Sequence, residues 1–512
     1  MPFAHLSRRD ALRLALLAGG GLISGGALAG CKADTSTAGG AIKPGAKIVF
    51  ASTTITNSLD PHIALSNVGR SYAVQVYDAL LGYDDAGAIA PALATAWKRV
   101  DELTVELTLR DGVTFHDGGA FDAETVVANI ARLTDGGAEV SATKSFLGAV
   151  AKATAVDART VRITTTTPDP VLFNRLTRID MVDPAVFGSA GDKASGTGPF
   201  RVTGYTPGQR VELEAFAGSW RATDRVASAT IQGIPDAGTM ASALRAGEVD
   251  IAFGLGATQA EQLRSQFGVL HPSAGSAAIC SLISDVEPKL ADPRVREALN
   301  LAINRDEFVD AGLAGYGKPS NGQLLQEGML GYDPSITPLG FDPDRARTLL
   351  KEAGAEGIRL NIATTAIFKS QAEIVTGYLN AVGIESEVEI QELSLFIGTL
   401  LGTSKTPLLY WQTDYFDLRD IISVTRFGPQ PPQVQKHFAN DRYVELYQQA
   451  GTELDEAKRA GLIQEMAGIL RDEFGVLFLA WPDLVYIHNK RLVEVGMTGN
   501  SLVRLELCGK SE

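Results

Sequence analysis

The sequence predicts a mixed α/β fold, and three of its features indicate this class. Short segments in which apolar and polar residues alternate, such as Thr104 to Leu109, are typical of half-buried strands. Segments with an aspartate before the first turn and apolar residues on one face, such as the one after Asp122, are typical of helices. A strand, a helix and a second strand over residues 359–390 predict parallel strands joined by a helical crossover.

The remaining elements follow from the same patterns in chain order. Strands are predicted where apolar residues are consecutive or alternate, at residues 47–51, 104–109, 160–164 and 210–216. Asp-Pro pairs at Asp292 and Asp342 begin two helices, because aspartate caps a helix and proline fits its first turn, and Gly354 ends the second helix. The later elements are strand 359–363, helix 372–382, strand 385–390, helices 441–449 and 455–473, and strand 475–480.

Length and composition are those of a folded protein with several structural units. The chain has 512 residues, of which 45% are hydrophobic and 21% charged, and this excludes disordered and low-complexity proteins. Its 46 basic residues against 60 acidic ones give a net charge of −14. Because phosphate binding needs a basic surface, the acidic balance argues against nucleic acid as a partner.

The first thirty residues have the pattern of an export signal. Arg8 and Arg9 precede an apolar, glycine-rich stretch over residues 14–30, which is too short for a convincing membrane span. The arginine pair indicates the twin-arginine route, although Ala11 stands where a bulky apolar residue is usual, so general secretion stays open. Residues 28–31 resemble a bacterial lipobox, in which Cys31 is lipidated; the alternative is an ordinary signal with an incidental cysteine.

The expected mature protein is a membrane-anchored lipoprotein. Residues 1–30 are then the signal peptide, and residues 31–45 are the lipidated cysteine and a flexible Ala, Gly, Ser and Thr tether. We expect the protein on the outer face of the cytoplasmic membrane, with periplasm and cell surface both open. Cys280 and Cys508 can pair after export, but the apolar run around Cys280 favours a buried thiol.

Motifs of enzymes and metal sites are absent from the sequence. The five histidines after Cys31 are too far apart for a local zinc pair, and there is no Cys-x-x-Cys, Gly-x-Ser-x-Gly or Walker motif. Asp414, Asp417 and Asp420 form either a carboxylate site or a solvated turn. We therefore expect no enzyme activity, no cofactor and no metal, while a site assembled from distant residues stays open.

Several longer motifs resemble one known family. They are Ser58–His62 (SLDPH), Leu109–Gly118 (LRDGVTFHDG) with Phe121–Val127, Gly196–Phe200 (GTGPF), Ala243–Asp250 (ALRAGEVD) and Val295–Arg305 (VREALNLAINR), where Asn304 replaces the usual aspartate. In this order, over nearly all of residues 46–495, the pattern is similar to the extracellular solute-binding proteins of peptide, nickel and opine importers, called family 5. Any one of the motifs alone would be a weak signal.

The resemblance implies a two-lobed periplasmic-binding-protein fold that closes on its ligand, with an extra domain inserted in lobe one. By analogy, lobe one combines residues 46–72, 194–275 and 476–512, the inserted domain is 73–193, and lobe two is 276–475. Chain crossings near residues 276 and 475 would form the hinge.

Most of the shared motifs have structural interpretations. The Asp-Gly pairs of the second motif suit tight turns. Arg110 and His116 are either ligand contacts or parts of a network that stabilises these turns, and we favour the network. Arg296 and Arg305 are expected to be exposed or in structural ion pairs.

The predicted ligand site follows the strand at residues 408–411, because ligands of open α/β sheets bind beyond the carboxyl ends of strands. Trp411-Gln412-Thr413-Asp414-Tyr415 also resembles the family's W-x-x-D-Y segment. The resemblance implies that Asp414 holds the α-ammonium of a peptide and that Trp411 and Tyr415 form an aromatic wall. In the alternative, Asp414 caps a turn and Trp411 lies in the core. Asp417-Leu418 departs from the usual Asp-Pro, which weakens the transfer.

Other strand ends supply further candidates. Thr365 and Phe368 follow the strand at 359–363, and Asn57 and Leu59 follow the first strand. The first pair has no residue-level match to the family. The first pair would contact the solute from lobe two and the second pair from lobe one.

The resemblance implies a lipid-anchored substrate-binding component of an ABC importer, a monomer that delivers a solute to permease subunits. Peptide is the expected solute, while opine, oligosaccharide, glutathione and nickel-chelate stay open. Two other classes of function remain as alternatives: a sensor or adhesion lipoprotein without transport, and an extracellular hydrolase. Fold alone does not decide among them.

Overall fold

The computed structural model describes residues 41–63, 67–84, 87–137, 140, 143–144, 147–273, 275–401, 404–412, 440–499 and 501–511. The predicted signal with Arg8 and Arg9, the predicted lipidation site Cys31, and the predicted ligand residues Asp414 and Tyr415 lie outside this part of the chain.

The chain contains both strands and helices along its length, as the sequence predicts. The strands are β1 Ala46–Ser52, β2 Leu81–Tyr83, β3 Ile89–Pro91, β4 Ala94–Arg99, β5 Thr104–Leu109, β6 Val150–Asp157, β7 Thr160–Thr165, β8 Phe200–Thr206, β9 Arg210–Ala215, β10 Val226–Gly233, β11 Ile251–Phe253, β12 Gly268–Leu270, β13 Ala278–Leu282, β14 Gly317–Pro319, β15 Ile362–Thr365, β16 Val388–Gln391, β17 Leu408–Gln412, β18 Val476–Pro482, β19 Tyr486–His488, β20 Leu492–Glu494 and β21 Gly509–Lys510. The helices are α1 Asn67–Val76, α2 Ala123–Asp135, α3 Leu172–Arg175, α4 Ala237–Ala246, α5 Ala257–Leu263, α6 Pro293–Leu301, α7 Arg305–Gly312, α8 Pro343–Glu352, α9 Lys369–Ala381, α10 Leu393–Leu401, α11 Asp441–Ala450 and α12 Glu456–Asp472.

The first large sheet has seven strands in the order β12-β19-β11-β1-β10-β9-β8. Its central strand β1 is parallel to both neighbours, β10 and β11. Side chains of β1 alternate between two apolar clusters, with Ile48 and Phe50 in one and Ala51 in the other. A strand buried on both faces explains the continuous apolar sequence of this segment.

The second large sheet has six strands in the order β14-β18-β13-β17-β15-β16. β15 is parallel to β16 and to β17, so the predicted strand–helix–strand unit is confirmed. The helix of that unit is α9, and the predicted Asp-Pro caps begin α6 and α8. Apolar clusters cover both faces of this sheet as well.

A third sheet of four antiparallel strands, β4-β5-β7-β6, lies within the predicted inserted domain. Helix α2 packs on it through Val126, Ile130 and other buried residues. The Asp122 side chain accepts the backbone N–H of Thr125 at 3.0 Å, and the Thr125 hydroxyl accepts the N–H of Asp122 at 3.1 Å. This capping box confirms the helix start predicted from the sequence.

The second chain crossing differs from the prediction. Val476–Pro482 pairs with β13 and β14 in the second large sheet, so the crossing follows Pro482 and not residue 475. A buried strand cannot change sheets without losing its ladder hydrogen bonds. From here, lobe two denotes residues 276–482, lobe one residues 46–72, 194–275 and 483–512, and the inserted domain residues 73–193.

The two crossings lie side by side. The Leu484 N–H donates to the carbonyl of Pro272 at 3.0 Å, and Ser273 forms a β-bridge with Asp483. The Asp483 carboxylate is 3.1 Å from Nδ1 of His271, and burial raises the pKa of Asp483. The connection between the two large sheets is therefore a short two-stranded ladder.

Three further predictions are corrected or settled by the described residues. The end of the predicted tether joins the fold, because Ile42 bridges Ser511 and the Lys43 N–H donates to the Lys510 carbonyl at 2.9 Å. Cys280 and Cys508 are both free and buried, as favoured for Cys280. Among the described residues, no helix is long and apolar enough to cross a membrane.

Candidate functional site

The candidate site lies at one edge of the second large sheet, where β15, β17 and β18 end. β17 and β18 are both antiparallel to β13 and therefore run in the same direction, and β15 is parallel to β17. Their carboxyl ends consequently meet at one edge, the place where open α/β sheets bind ligands.

Trp411 and Thr365 share one face of this edge. Trp411 is 6% exposed and packs in the same apolar cluster as Ala363. Thr365 lies two residues beyond Ala363 in β15, so its side chain points to the same face. The indole N–H of Trp411 donates to Ser281 Oγ at 2.9 Å, whereas Thr365 Oγ1 is buried and has no hydrogen-bond partner among the described residues.

Trp481 is a site candidate that the sequence analysis missed. It is the next-to-last residue of β18 and packs in the same cluster as Trp411. Its indole N–H is buried without a partner in the described part of the chain. The strand-end rule would have found it, but β18 was assigned to the wrong lobe.

Phe368 lies on the opposite face of the sheet from Trp411. Its ring meets that of Tyr410 edge-on, with centroids 5.7 Å apart, and packs against the other apolar cluster. Next to it, Ile367 is 73% exposed at the sheet edge. The structure thus brings Thr365 and Trp411 together and leaves Phe368 apart from them.

On the lobe-one side, Asn57 and Leu59 have different surroundings. Asn57 is exposed in the segment after β1. The Leu59 side chain is buried in the core, and its carbonyl accepts the hydroxyls of Tyr72 at 3.1 Å and Tyr77 at 2.9 Å. Of the two, only Asn57 is open to a solute.

The histidines of the shared motifs are held as neutral structural groups. His62 Nδ1 accepts from Arg132 at 3.1 Å, and its Nε2 lies 2.9 Å from the Asp180 carbonyl. His116 Nδ1 accepts the N–H of Gly196 at 3.3 Å, and its Nε2 lies 3.1 Å from the Gly198 carbonyl. Burial lowers the pKa of both rings. The favoured structural role of His116 is therefore confirmed.

The arginines of these motifs also serve the fold. Arg110 donates to the Ala92 carbonyl at 3.0 Å and lies 4.1 Å over the Trp220 ring, as the structural interpretation predicted. The expectation for Arg296 and Arg305 is wrong for Arg305, which is buried and makes no ion pair among the described residues. It donates to the Phe478 carbonyl at 2.9 Å and to Asn300 at 3.0 Å. A buried backbone carbonyl needs a donor, and a buried guanidinium supplies several.

Arg296 is in a structural ion pair, the alternative to exposure that the sequence analysis gave. It is buried, donates to the Glu473 carbonyl at 2.8 Å, and lies 3.9 Å from the Glu473 carboxylate. Burial lowers the pKa of both Arg296 and Arg305. Neither guanidinium is placed to meet a solute.

No group of three or more histidine, cysteine or carboxylate side chains that could hold a metal ion occurs among the described residues. At the edge of the second sheet, Trp411 and Trp481 are 6% and 9% exposed and belong to one buried apolar cluster, which fits the alternative that Trp411 lies in the core. Thr365 Oγ1 and Trp481 Nε1 leave unpaired polar atoms in this apolar surface. Such a surface can bind a small molecule through stacking and a few directed hydrogen bonds.

Comparison with known proteins places this geometry in context. Residues 88–435 match the family described as bacterial extracellular solute-binding proteins, family 5 Middle. The glutathione-binding protein GsiB of Pectobacterium atrosepticum is 32% identical over 306 residues, which are 58% of this chain and 59% of that protein. The chain therefore covers less than two thirds of the length of this relative.

Solved structures share the fold over most of the chain. A DppA periplasmic binding protein from Helicobacter pylori, in complex with the peptide STSA, superposes with a TM-score of 0.78 and 23% identity, covering 92% of this chain and 99% of that one. NikA from Brucella suis, in complex with Fe(III)-EDTA, gives a TM-score of 0.80 and 22% identity, covering 91% and 100%. The predicted two-lobed binding-protein fold is confirmed.

Proposed function

The chain belongs to the bacterial extracellular solute-binding proteins of family 5, and from this premise we propose that it is the substrate-binding component of an ABC importer. It would capture a small solute between its lobes and deliver it to permease subunits. The family consists of binding proteins and not of enzymes. Closure needs no chemistry, because contacts from both lobes to one solute stabilise the closed arrangement over the open one.

One observation carries the proposal: the carboxyl edge of the second sheet presents Trp411 and Trp481 together with polar atoms that lack partners. Thr365 Oγ1 and Trp481 Nε1 are both buried without a hydrogen bond among the described residues. Buried polar groups in folded proteins are almost always paired, with protein, water or ligand. A solute with polar atoms would supply the missing partners.

We propose a peptide as the solute class, with its α-ammonium held by Asp414. Relatives in the comparison are named as binding glutathione or contain a peptide, and glutathione is itself a peptide with a free α-ammonium. An enclosed ammonium needs a charged, hydrogen-bonded partner, which a carboxylate provides. Trp411 and Tyr415 would form the aromatic wall, with Thr365 and Trp481 beside it and Asn57 facing it from lobe one.

The test of this role is Asp414→Asn. Loss of the charge from a buried pair should weaken the binding of free-amine tripeptides and glutathione by about 2–5 kcal/mol, and N-acetylation of the peptide should weaken binding to the unchanged protein similarly. Native mass spectrometry with a panel of peptides and nickel-chelates measures both effects. Asp420→Asn is the matched control, because it removes the same charge from the same segment and should leave affinity unchanged.

Two results would contradict the peptide role. Equal affinity for acetylated and free peptides would return Asp414 to a turn. A bound mass that ignores every peptide but exchanges for an opine, a sugar or a nickel-chelate would move the proposal to that solute.

We also propose that residues 1–30 are an export signal used by the twin-arginine route through Arg8 and Arg9, that Cys31 carries the lipid, and that the protein acts as a monomer outside the cytoplasmic membrane. The glycine-rich apolar stretch and the Leu28–Cys31 pattern support this. Cys31→Ser should abolish incorporation of labelled palmitate and release the protein into the soluble fraction. Continued membrane attachment of Cys31→Ser would contradict the anchor.

A further inference from the structure

Val171 belongs by sequence to the inserted domain, but its side chain is buried in lobe two. It is 1% exposed and packs in the apolar cluster that contains Trp411 and Trp481. Every other buried member of this cluster lies between residues 277 and 481. The neighbouring Leu172, by contrast, is buried in the inserted domain's own cluster. The chain therefore divides between two structural units at a single peptide bond.

The segment that carries Val171 is held firmly by one buried carboxylate. Asp169 Oδ1 accepts the Val171 N–H at 3.0 Å, and Asp169 Oδ2 accepts Nε of Arg175 at 2.8 Å. The Asp169 carbonyl accepts from Arg99 at 2.8 Å. The Asp169 and Arg175 side chains are 4% and 9% exposed. A segment fixed in this way loses little conformational freedom when it contacts another surface.

Charged groups meet at the same place and support the contact independently of the apolar cluster. Arg459, in helix α12 of lobe two, is 6% exposed, and its pKa is lowered by burial. Arg99 of the inserted domain lowers that pKa further, and Asp169 raises it. The beginning of α12 therefore lies near Arg99 and Asp169, next to the segment that carries Val171.

We propose that Val171 is the closing contact of the inserted domain on lobe two, and that it sets the affinity for the solute by stabilising the closed arrangement. This inference rests on the proposed solute-binding function. Buried ion pairs, Arg70 with Asp180 and Arg221 with Asp78, attach the inserted domain to lobe one, and no chain segment links it directly to lobe two. Opening of the lobes must therefore withdraw Val171 from the apolar cluster of lobe two and expose it.

The energetic consequence follows from population shift. A solute that binds the closed form gains apparent affinity in proportion to how readily the protein closes. Methyl groups that are buried only in the closed form favour closing without any contact with the solute. Their removal should weaken binding and leave the folded stability of the open form unchanged.

The first experiment compares Val171→Ala with Val161→Ala. Val161 is fully buried in the inserted domain's own cluster, so its truncation should lower the unfolding midpoint without changing affinity. Val171→Ala should weaken the binding of tri-alanine or S-methylglutathione about tenfold, which corresponds to 1.4 kcal/mol. Equal affinities for both variants and the unchanged protein would overturn the proposal.

The second experiment needs no solute. Val171→Cys is labelled with a maleimide in the ligand-free chain carrying Cys31→Ser, with the buried Cys280 and a Val156→Cys variant as references; Val156 is 50% exposed. The proposal predicts a labelling rate between those of the two references. A rate equal to that of Cys280 would mean that the contact never parts, and a rate equal to that of Val156→Cys would mean that it does not form. Either result would overturn the proposal.

The two arms separate the inference from the function on which it rests. If no member of the solute panel binds, the proposed function fails, but the labelling rate still decides the role of Val171. If a solute binds, an excess of it should slow the labelling of Val171→Cys at least severalfold. Unchanged labelling at saturation would overturn the closing role while leaving the binding function intact.

Discussion

The molecule has two junctions of different construction. Where the inserted domain meets lobe one, Asp78 pairs with Arg221 at 2.7 Å and accepts from Thr197 at 2.7 Å and from Trp220 at 2.9 Å. Arg221 also pairs with the buried Glu506 near the chain end. Where lobe one meets lobe two, the chain crosses twice, Ser273 Oγ donates to Gln326 Oε1 at 2.8 Å, and Tyr316 of lobe two packs against lobe one.

The contact of Tyr316 is apolar with one hydrogen bond at its tip. Its ring, 6% exposed, packs in the lobe-one cluster around Ala260 and Phe267, and its hydroxyl donates to Glu261 Oε2 at 3.0 Å. Burial, followed by this hydrogen bond, raises the pKa of Tyr316. The Glu261 side chain remains 47% exposed.

The construction of each junction determines which parts can move. Buried charges tolerate little displacement, because each loses its partner in a low-dielectric surrounding when the geometry changes. An apolar ring and a half-exposed carboxylate accept small rotations at low cost. We therefore expect the inserted domain to move as one body with lobe one, and lobe two to rotate against both.

We expect the strongest destabilisation from a change that breaks the junction between the inserted domain and lobe one. Asp78→Ala leaves Arg221, Thr197 and Trp220 without their shared acceptor and should lower the free energy of unfolding by about 3–5 kcal/mol, the range for breaking a buried pair. Urea unfolding followed by tryptophan fluorescence measures it. Glu214→Ala is the control, because its pair with Arg201 at 3.1 Å is about half-exposed and should change stability by less than about 1 kcal/mol.

If Asp78→Ala lowers the free energy of unfolding no more than Glu214→Ala does, the junction between the inserted domain and lobe one is not as rigid as we expect. Such a result would mean that solvent reaches the junction and that the inserted domain has freedom of its own. Val171 would then not need to withdraw when lobe two opens, because the inserted domain could follow lobe two.

Local pattern predicted most of the fold because its causes are local. The caps at Asp122, Asp292 and Asp342 depend on residues within one turn, and each begins a helix as expected. The contact of Arg305 with the carbonyl of Phe478 joins residues 173 positions apart. Nothing in the neighbourhood of either residue indicates that contact, so the sequence left Arg305 as an exposed or paired charge.

The candidate site was predictable in part for the same reason. The strand-end rule places Thr365 and Trp411 correctly at one edge, because it needs only the direction of neighbouring strands. It missed Trp481, since the lobe that holds β18 is decided by pairing with β13 across the whole domain. Val171 carries no local signal at all, because its significance lies in which unit it contacts. Asp414 and Tyr415 stay predictions.

Tyr316→Phe tests the junction between lobe one and lobe two, and we expect it to be the mildest of these changes. The ring keeps its burial, so the change removes only the hydrogen bond to Glu261, and that carboxylate is exposed enough to be rehydrated. We expect the free energy of unfolding to fall by about 1 kcal/mol, the usual net value of one hydrogen bond. Urea unfolding with Tyr77→Phe as the matched control measures it, because the Tyr77 hydroxyl donates to the Leu59 carbonyl at 2.9 Å in the lobe-one apolar cluster, away from the two chain crossings.

The control separates the loss of a hydrogen bond from the loss of a junction. If Tyr316→Phe costs about as much as Tyr77→Phe, the contact at the crossing is an ordinary one and the lobes are free to rotate about it. A loss of about 3 kcal/mol or more, comparable with Asp78→Ala, would show that both junctions are equally intolerant of change. Rotation of lobe two would then need a different axis, away from Tyr316 and the paired crossings.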